Sequence, residues 1–291
     1  MLAATPAPPM KETAVSTIVI TGASDGIGAA AAEQIHTALP DARLVLVGRD
    51  PDKTRAVAGP LGAEHHTADF TRLDEVRDLA SALDSSCERI DVLANNAGGS
   101  FRGPIRTGDG FEQTWQVNHL APYLLTNLLI DKLLVSRASV VATSSAASWA
   151  FSRLNPDDPN SFHDFNPNRA YANAKLANVL FTRALHDRYH PAGLNTVAFH
   201  PGLIATNFAS NTSSMLRFVY QTPAARLITQ ADRGGANLAH FITGVPGIHW
   251  ESGRYYNKRR RPGHERPQAK DRDLINRIFD DSAAALGVSW P

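Results

Sequence analysis

The sequence predicts an α/β fold, a doubly wound parallel sheet with helices on both faces in three αβα layers, and three observations carry that prediction. Short apolar, β-branched runs recur along the chain, too short for amphipathic helices. Helical stretches separate them, which is the order of a parallel sheet built from crossovers. The first crossover is a glycine-rich turn between a strand and a helix.

The strands are expected at Thr17 to Ile20, Leu44 to Val47, Val92 to Ala94, Val140 to Ala142 and Thr196 to Phe199. Between them, helices are expected at Ile27 to Ala38, Pro51 to Ala58 with Asp50 as N-cap, Leu73 to Leu83, Phe111 to Leu134 and Ala170 to Arg188. His65 and His66 fall on a further strand candidate, where neighbours point to opposite faces and cannot clamp one metal together. Asp271 to Leu286 reads as a terminal amphipathic helix with Leu274, Ile275, Ile278 and Phe279 facing inward.

A length of 291 residues is compatible with one large α/β domain, here residues 15–291 behind a proline-rich tail, 1–14. With 43% hydrophobic and 20% charged residues the composition is globular, and a formal net charge of +1 argues against a general nucleic-acid binder. The N-terminus has no apolar segment of the kind a signal peptide or membrane anchor needs. The single cysteine, Cys87, excludes an intrachain disulfide and fits a reducing, cytoplasmic setting. No His/Cys pairing at ligand spacing points to a metal, and His200 reads as structural.

Two stretches carry chemistry. In TGASDGIG, glycines at Gly22, Gly26 and Gly28 let backbone approach a pyrophosphate whose charge a helix N-terminus holds, the arrangement of a Rossmann-type dinucleotide turn. In YANAK, Tyr171 and Lys175 lie four residues apart, so on a helix the phenol and the ammonium emerge side by side. A free tyrosine titrates near about 10, and an adjacent cation draws it toward working range.

TGASDGIG, Asp69, NNAG at Asn95 to Gly98, Asn118, Ser144-Ser145, YANAK and HPG at His200 to Gly202 together resemble the short-chain dehydrogenase/reductase family, most closely its retinol-dehydrogenase-like branch. The resemblance spans roughly residues 15 to 257, with the motifs in the family's order. It implies a nicotinamide cofactor and the catalytic set Asn118, Ser145, Tyr171 and Lys175, with Ser144 as rival to Ser145. Tyr171 would exchange the proton, Lys175 would also bind the nicotinamide ribose, and Asn118 would hold a relay water. Some 26 residues separate Ser145 from Tyr171, about double the family's usual spacing, and an inserted loop over 149–168 accounts for the excess.

The resemblance also implies that Gly22, Ser24, Asp25, Gly26, Ile27 and Gly28 cradle the cofactor, with Asp69 and Phe70 at the adenine. Asn96, Ala97 and Gly98 would border the nicotinamide ribose, and Pro201, Gly202, Ile204 and Thr206 the carboxamide and phosphates. For Asp69 the alternative is a helix cap; Asn95 would brace the sheet. After the second strand, glycine at Gly48 replaces the carboxylate of NAD-binding relatives and Arg49 follows, which favours the 2′-phosphate of NADP(H). Asp25 stands near where such relatives carry a basic residue, and with Asp50 it dilutes the positive field.

On the substrate side, residues 207–232 have the position of a lid, and Trp149, Phe151, Phe162 and Phe165 either line a cleft for a bulky apolar substrate or pin the loop to the core. The C-terminal extension, 258–291, opens with Lys258, Arg259, Arg260 and Arg261, near Arg266, read as solvated surface or as a seat for an anionic substrate tail. Relatives pair through the two long helices, so a homodimer is an expectation, although such insertions accompany monomers in some branches. The expected activity is interconversion of a ketone or aldehyde and an alcohol; a C=C (enone) reductase and a non-catalytic dinucleotide sensor are the alternatives.

Overall fold

The computed structural model describes residues 16–202 and 231–291. The expected tail, Ile204 and Thr206, and the expected lid up to residue 230 lie outside the described residues.

Seven parallel strands form the sheet: β1 (Thr17–Thr21), β2 (Arg43–Gly48), β3 (Glu64–Thr67), β4 (Val92–Asn95), β5 (Ser139–Thr143), β6 (Asn195–Phe199) and β7 (Arg254–Tyr256). Their spatial order is β3-β2-β1-β4-β5-β6-β7, so the winding reverses between β1 and β4. Alternation along each strand feeds two cores. Val19 packs on the side of α3 (Leu73–Ser86), α5 (Ala121–Leu128) and α8 (Pro167–Tyr189). Ile18 and Ile20 pack on the side of α1 (Gly26–Ala38) and α9 (Ala231–Thr243). With both faces covered, the central strands are largely apolar and read as short runs, while the edge strand β3, Glu-His-His-Thr, is not.

Local chemistry sets the helix starts. Asp25 accepts from Gly26 N at 2.7 Å ahead of α1. Asp50 accepts from the amides of Asp52 and Lys53, both at 3.0 Å, ahead of α2 (Pro51–Ala58). In the expected helix Phe111 to Leu134 the structure instead shows α4 (Gln113–Trp115), a π turn over Gln116–Leu120, α5, and α6 (Ile130–Val135). Pro122 brings no N–H to the ladder, so the carbonyl of Asn118 lacks its i+4 donor. The register slips, with Ala121 N bonding to Gln116 O. α7 (Ala147–Ala150) covers the start of the expected loop, and residues 151–166 are irregular before α8.

The terminal helix α10 (Arg272–Leu286) buries Leu274, Ile275, Ile278 and Phe279 as expected. It lies against α5 and α8: Tyr123 Oη donates to Phe279 O at 2.7 Å, and His119 Nε2 sits 3.0 Å from Ser282 Oγ. Trp290 Nε1 closes the same patch by donating to Tyr123 Oη at 2.6 Å. The C-terminal residues thus pack against both long helices. Among the described residues no helix is long and apolar enough to cross a membrane.

Candidate active site

The reversal between β1 and β4 opens a crevice at the carboxyl ends of the strands, where open α/β sheets bind ligands. Thr21 stitches its two sides together. Its hydroxyl donates to Ala94 O at 3.1 Å and accepts from the amides of Asn96 and Ala97, both at 3.0 Å. Asn96 Nδ2 returns to Thr21 O at 3.0 Å and Gly22 O at 3.2 Å. Gly22 has φ +66, and a Cβ there would stand 2.7 Å from Ala97 Cα, so turn and strand end meet in backbone contact. Gly26, Ile27 and Gly28 form the first turn of α1 directly behind. Asn95 Nδ2 donates to Thr126 Oγ1 at 3.0 Å and braces sheet against helix.

At the end of β2, a Cβ on Gly48 would press into Thr54 Oγ1 and come within 2.8 Å of Ser24 Cβ. No side chain fits there, and the exposed Arg49 follows at once. Asp69 Oδ1 accepts from Thr71 N at 2.9 Å, while Arg72 holds the N-cap position of α3 and Asp109 Oδ2 accepts from Leu73 N at 3.0 Å. Asp69 is therefore not the helix cap. Phe70 is 5% exposed and packs its side chain into the core.

The reactive side chains gather beyond β5. Tyr171 and Lys175 share a face of α8, with Lys175 Nζ 5.8 Å from the centre of the Tyr171 ring. Lys175 is 3% exposed and its Nζ donates to Thr143 O at 3.0 Å. Burial draws its pKa down from 10.5 to about 7. Thr143 Oγ1 in turn donates to Asn96 Oδ1 at 3.0 Å, tying the lysine's partner to the crevice.

The two serines differ. Ser144 is 2% exposed and donates through Oγ to Lys175 O at 2.7 Å, a structural bond inside the fold. Ser145 is half-buried, and its Oγ accepts from Ala147 N at 3.2 Å. Asn118 is fully buried in the π turn. Its Nδ2 donates to Gly99 O and Thr114 O, both at 2.8 Å, and its Oδ1 accepts from Gly99 N at 3.0 Å. A Cβ on Gly98 would stand 2.5 Å from Asn118 Oδ1 and 2.9 Å from Lys175 Nζ, so NNAG, Asn118 and Lys175 converge.

At the far side, His200 N donates to Tyr256 O at 3.0 Å, and Pro201 and Gly202 follow, Gly202 with φ +110. Burial, then the nearby Lys258 charge, hold the His200 pKa down at about 4. Among the described residues no cluster of His, Cys, Asp or Glu could hold a metal. Phe162 stacks under Arg106 at 4.1 Å and helps pin the inserted loop, whereas Trp149 and Phe151 are each 51% exposed. The sequence reading missed Thr143, Thr21 and Tyr255. Thr21 could have been found as the first residue of TGASDGIG, whereas Tyr255, on the short edge strand β7, carries no local signal.

A family model described as short chain dehydrogenase matches residues 16–217. A Streptomyces sp. (strain C5) protein assigned as a daunorubicin C-13 ketoreductase, DnrU, is 38% identical over 279 residues, covering 93% of this chain and 92% of the relative. Retinol dehydrogenase 13 of Homo sapiens is 31% identical over 288 residues, with 94% and 86% covered. A crystal structure of an uncharacterized Mycobacterium Paratuberculosis protein superposes with a TM-score of 0.73 at 29% identity, covering 95% of each chain. A glycine turn at the sheet's switch point, the paired Tyr171 and Lys175, and a family match over most of its length lead to one conclusion: the chain belongs to the short-chain dehydrogenase family of oxidoreductases.

Proposed function

We propose that this protein is an NADP(H)-dependent oxidoreductase that interconverts a ketone or aldehyde and an alcohol, with Tyr171 as general acid and base. The observation that carries the reading is the pairing of Tyr171 and Lys175 on α8, with Lys175 Nζ bonded to the end of β5 two residues before Ser145, next to a crevice whose glycines leave no room for side chains. That cradle suits a dinucleotide: Gly22, Ser24, Asp25, Gly26, Ile27 and Gly28 for the diphosphate, Arg49 for a 2′-phosphate, and Asp69 at the adenine. Phe70 would contribute through its backbone alone. Asn96, Ala97, Gly98, Pro201 and Gly202 would border the nicotinamide end. When bound, the cofactor supplies or accepts the hydride.

In the reducing direction the Ser145 hydroxyl donates a hydrogen bond to the substrate carbonyl oxygen, polarising it, and Tyr171 transfers its proton to that oxygen as the alkoxide forms. Oxidation reverses both. Lys175 in its charged form favours the phenolate left behind. Asn118 offers a carbonyl that Pro122 cannot satisfy, a site for a water returning a proton through Lys175. Exposed Trp149 and Phe151 close to Ser145 suit a bulky apolar substrate, in keeping with the names of the ketoreductase and retinol dehydrogenase relatives.

A panel of ketones, enones and secondary alcohols assayed with NADPH and NADH tests the reading. Turnover of ketones with NADPH is expected. Reduction of C=C bonds with ketones untouched would overturn the carbonyl assignment, and tight NADPH binding with complete inertness would identify a sensor. Arg49→Ala should raise KM for NADPH far more than for NADH; an equal effect on both would refute the phosphate contact.

A further inference from the structure

Ser145 lies two residues past the end of β5 and Tyr171 near the head of α8, with an irregular stretch between them that is too long to fix their spacing by itself. What holds them in register comes from the other end of the chain. Tyr255 on β7 is 3% exposed, and its hydroxyl donates to the main-chain carbonyl of Ser145 at 3.1 Å. The same carbonyl accepts from Ser148 Oγ at 2.7 Å, which turns the chain into α7. The Tyr255 ring has little freedom. It lies 6.0 Å from the His200 ring, and Gly263, whose amide donates to Tyr255 O at 2.9 Å, leaves no room for a Cβ beside it. Burial raises the Tyr255 pKa, so the phenol stays a donor at neutral pH.

The residues after β7 grip the rest of the same segment. Arg266 donates through Nε to Trp149 O and through a terminal nitrogen to Ala150 O, both at 2.9 Å, satisfying the last carbonyls of α7. Gln268 exchanges two hydrogen bonds with the backbone of Leu154. Glu265 pairs at 2.6 Å with Arg183 of α8, the helix that carries Tyr171 and Lys175, and Arg183 also donates to Ala269 O. One stretch, 255–269, is thus bonded both to the turn bearing Ser145 and to the helix bearing Tyr171.

We propose that Tyr255 is a positioning residue for the reaction: its hydroxyl fixes the Ser145 carbonyl and so aims the Ser145 side chain at the reacting oxygen, with Arg266 clamping the turn from its far end. The proposal rests on the reading of Ser145 as the hydroxyl that receives the substrate oxygen. A misplacement of about 1 Å at a group in the site can cost about a hundredfold in rate.

The test compares Tyr255→Phe, Ser145→Ala and the double variant by steady-state kinetics on a substrate the parent turns over, together with NADPH binding and thermal melting. Tyr255→Phe keeps the ring and removes one hydrogen bond. Its kcat is expected to fall about tenfold or more with the Kd for NADPH and the melting temperature little changed, and this loss is expected to vanish in the Ser145→Ala background. An unchanged kcat, or a loss that persists undiminished without the Ser145 hydroxyl, would overturn the role of Tyr255. Near-normal turnover in Ser145→Ala would instead reject the assignment of Ser145, and the positioning role with it. Should Tyr255→Phe fail to fold, Arg266→Gln acts on the same turn from the half-buried side; the same loss, cancelled without Ser145, is expected, and full activity would refute the clamp.

Discussion

The hydroxyl of Ser144 donates to the main-chain carbonyl of Lys175 at 2.7 Å, joining the end of β5 to α8. This bond separates two adjacent serines by task. Ser144→Ala removes one buried hydrogen bond, while the Lys175 carbonyl keeps its bond within α8, and is expected to destabilise the fold by about 0.5 to 1.5 kcal/mol, measured by urea denaturation. Ser145→Ala is expected to lower kcat by about 10²- to 10³-fold, the cost of a lost oxyanion donor, with stability little changed. The opposite pattern would exchange the two assignments.

Gly98 sits where any side chain would displace Asn118 Oδ1 and Lys175 Nζ. Gly98→Ala is expected to cut kcat/KM by about a hundredfold, because both groups shift within the site itself. Steady-state kinetics beside a circular dichroism spectrum would check it, and parental activity would show that the crevice has slack.

Gly48 meets Thr54 and Ser24 with no space for a side chain. Gly48→Asp alone, designed to favour NADH, is expected to cost about 1 to 3 kcal/mol by overpacking. Adding Thr54→Ala is expected to recover part of that loss, as read from denaturant midpoints. If the single variant is as stable as the parent, the fit around Gly48 is looser than the contacts state.

Lys175 is held at about pH 7 by burial, below its ordinary 10.5. Between those values the unfolded chain binds more protons than the folded one, so the stability of the cofactor-free protein rises with pH across this window, and below about pH 7 the full cost of the buried cation is present. Lys175→Met removes that cost and abolishes turnover. Its melting temperature should exceed the parent's by several degrees at pH 6 and by much less at pH 9. A difference independent of pH would contradict the buried charge.

Much of this site was legible in the sequence. The five short apolar runs are strands, the TGASDGIG turn lies at the switch point of the sheet, and Tyr171 and Lys175 share a helix face. These features depend on neighbours along the chain: a strand's composition, a glycine's φ, an i to i+4 spacing. The misread helix over Phe111 to Leu134 was partly local too, since Pro122 announced a missing amide.

What only the tertiary structure decided depends on contacts between residues remote in sequence. Ser144 is distinguished from Ser145 by a carbonyl 31 residues away. The Phe70 side chain is buried by core residues far from it in sequence. The grip of Tyr255 on Ser145 spans 110 residues, and that of Gln268 on Leu154 spans 114. A sequence window records which chemistry a residue can do and which local shape it prefers. Which of two equal hydroxyls is spent on the fold is set by the packing of elements that meet only once the chain has folded.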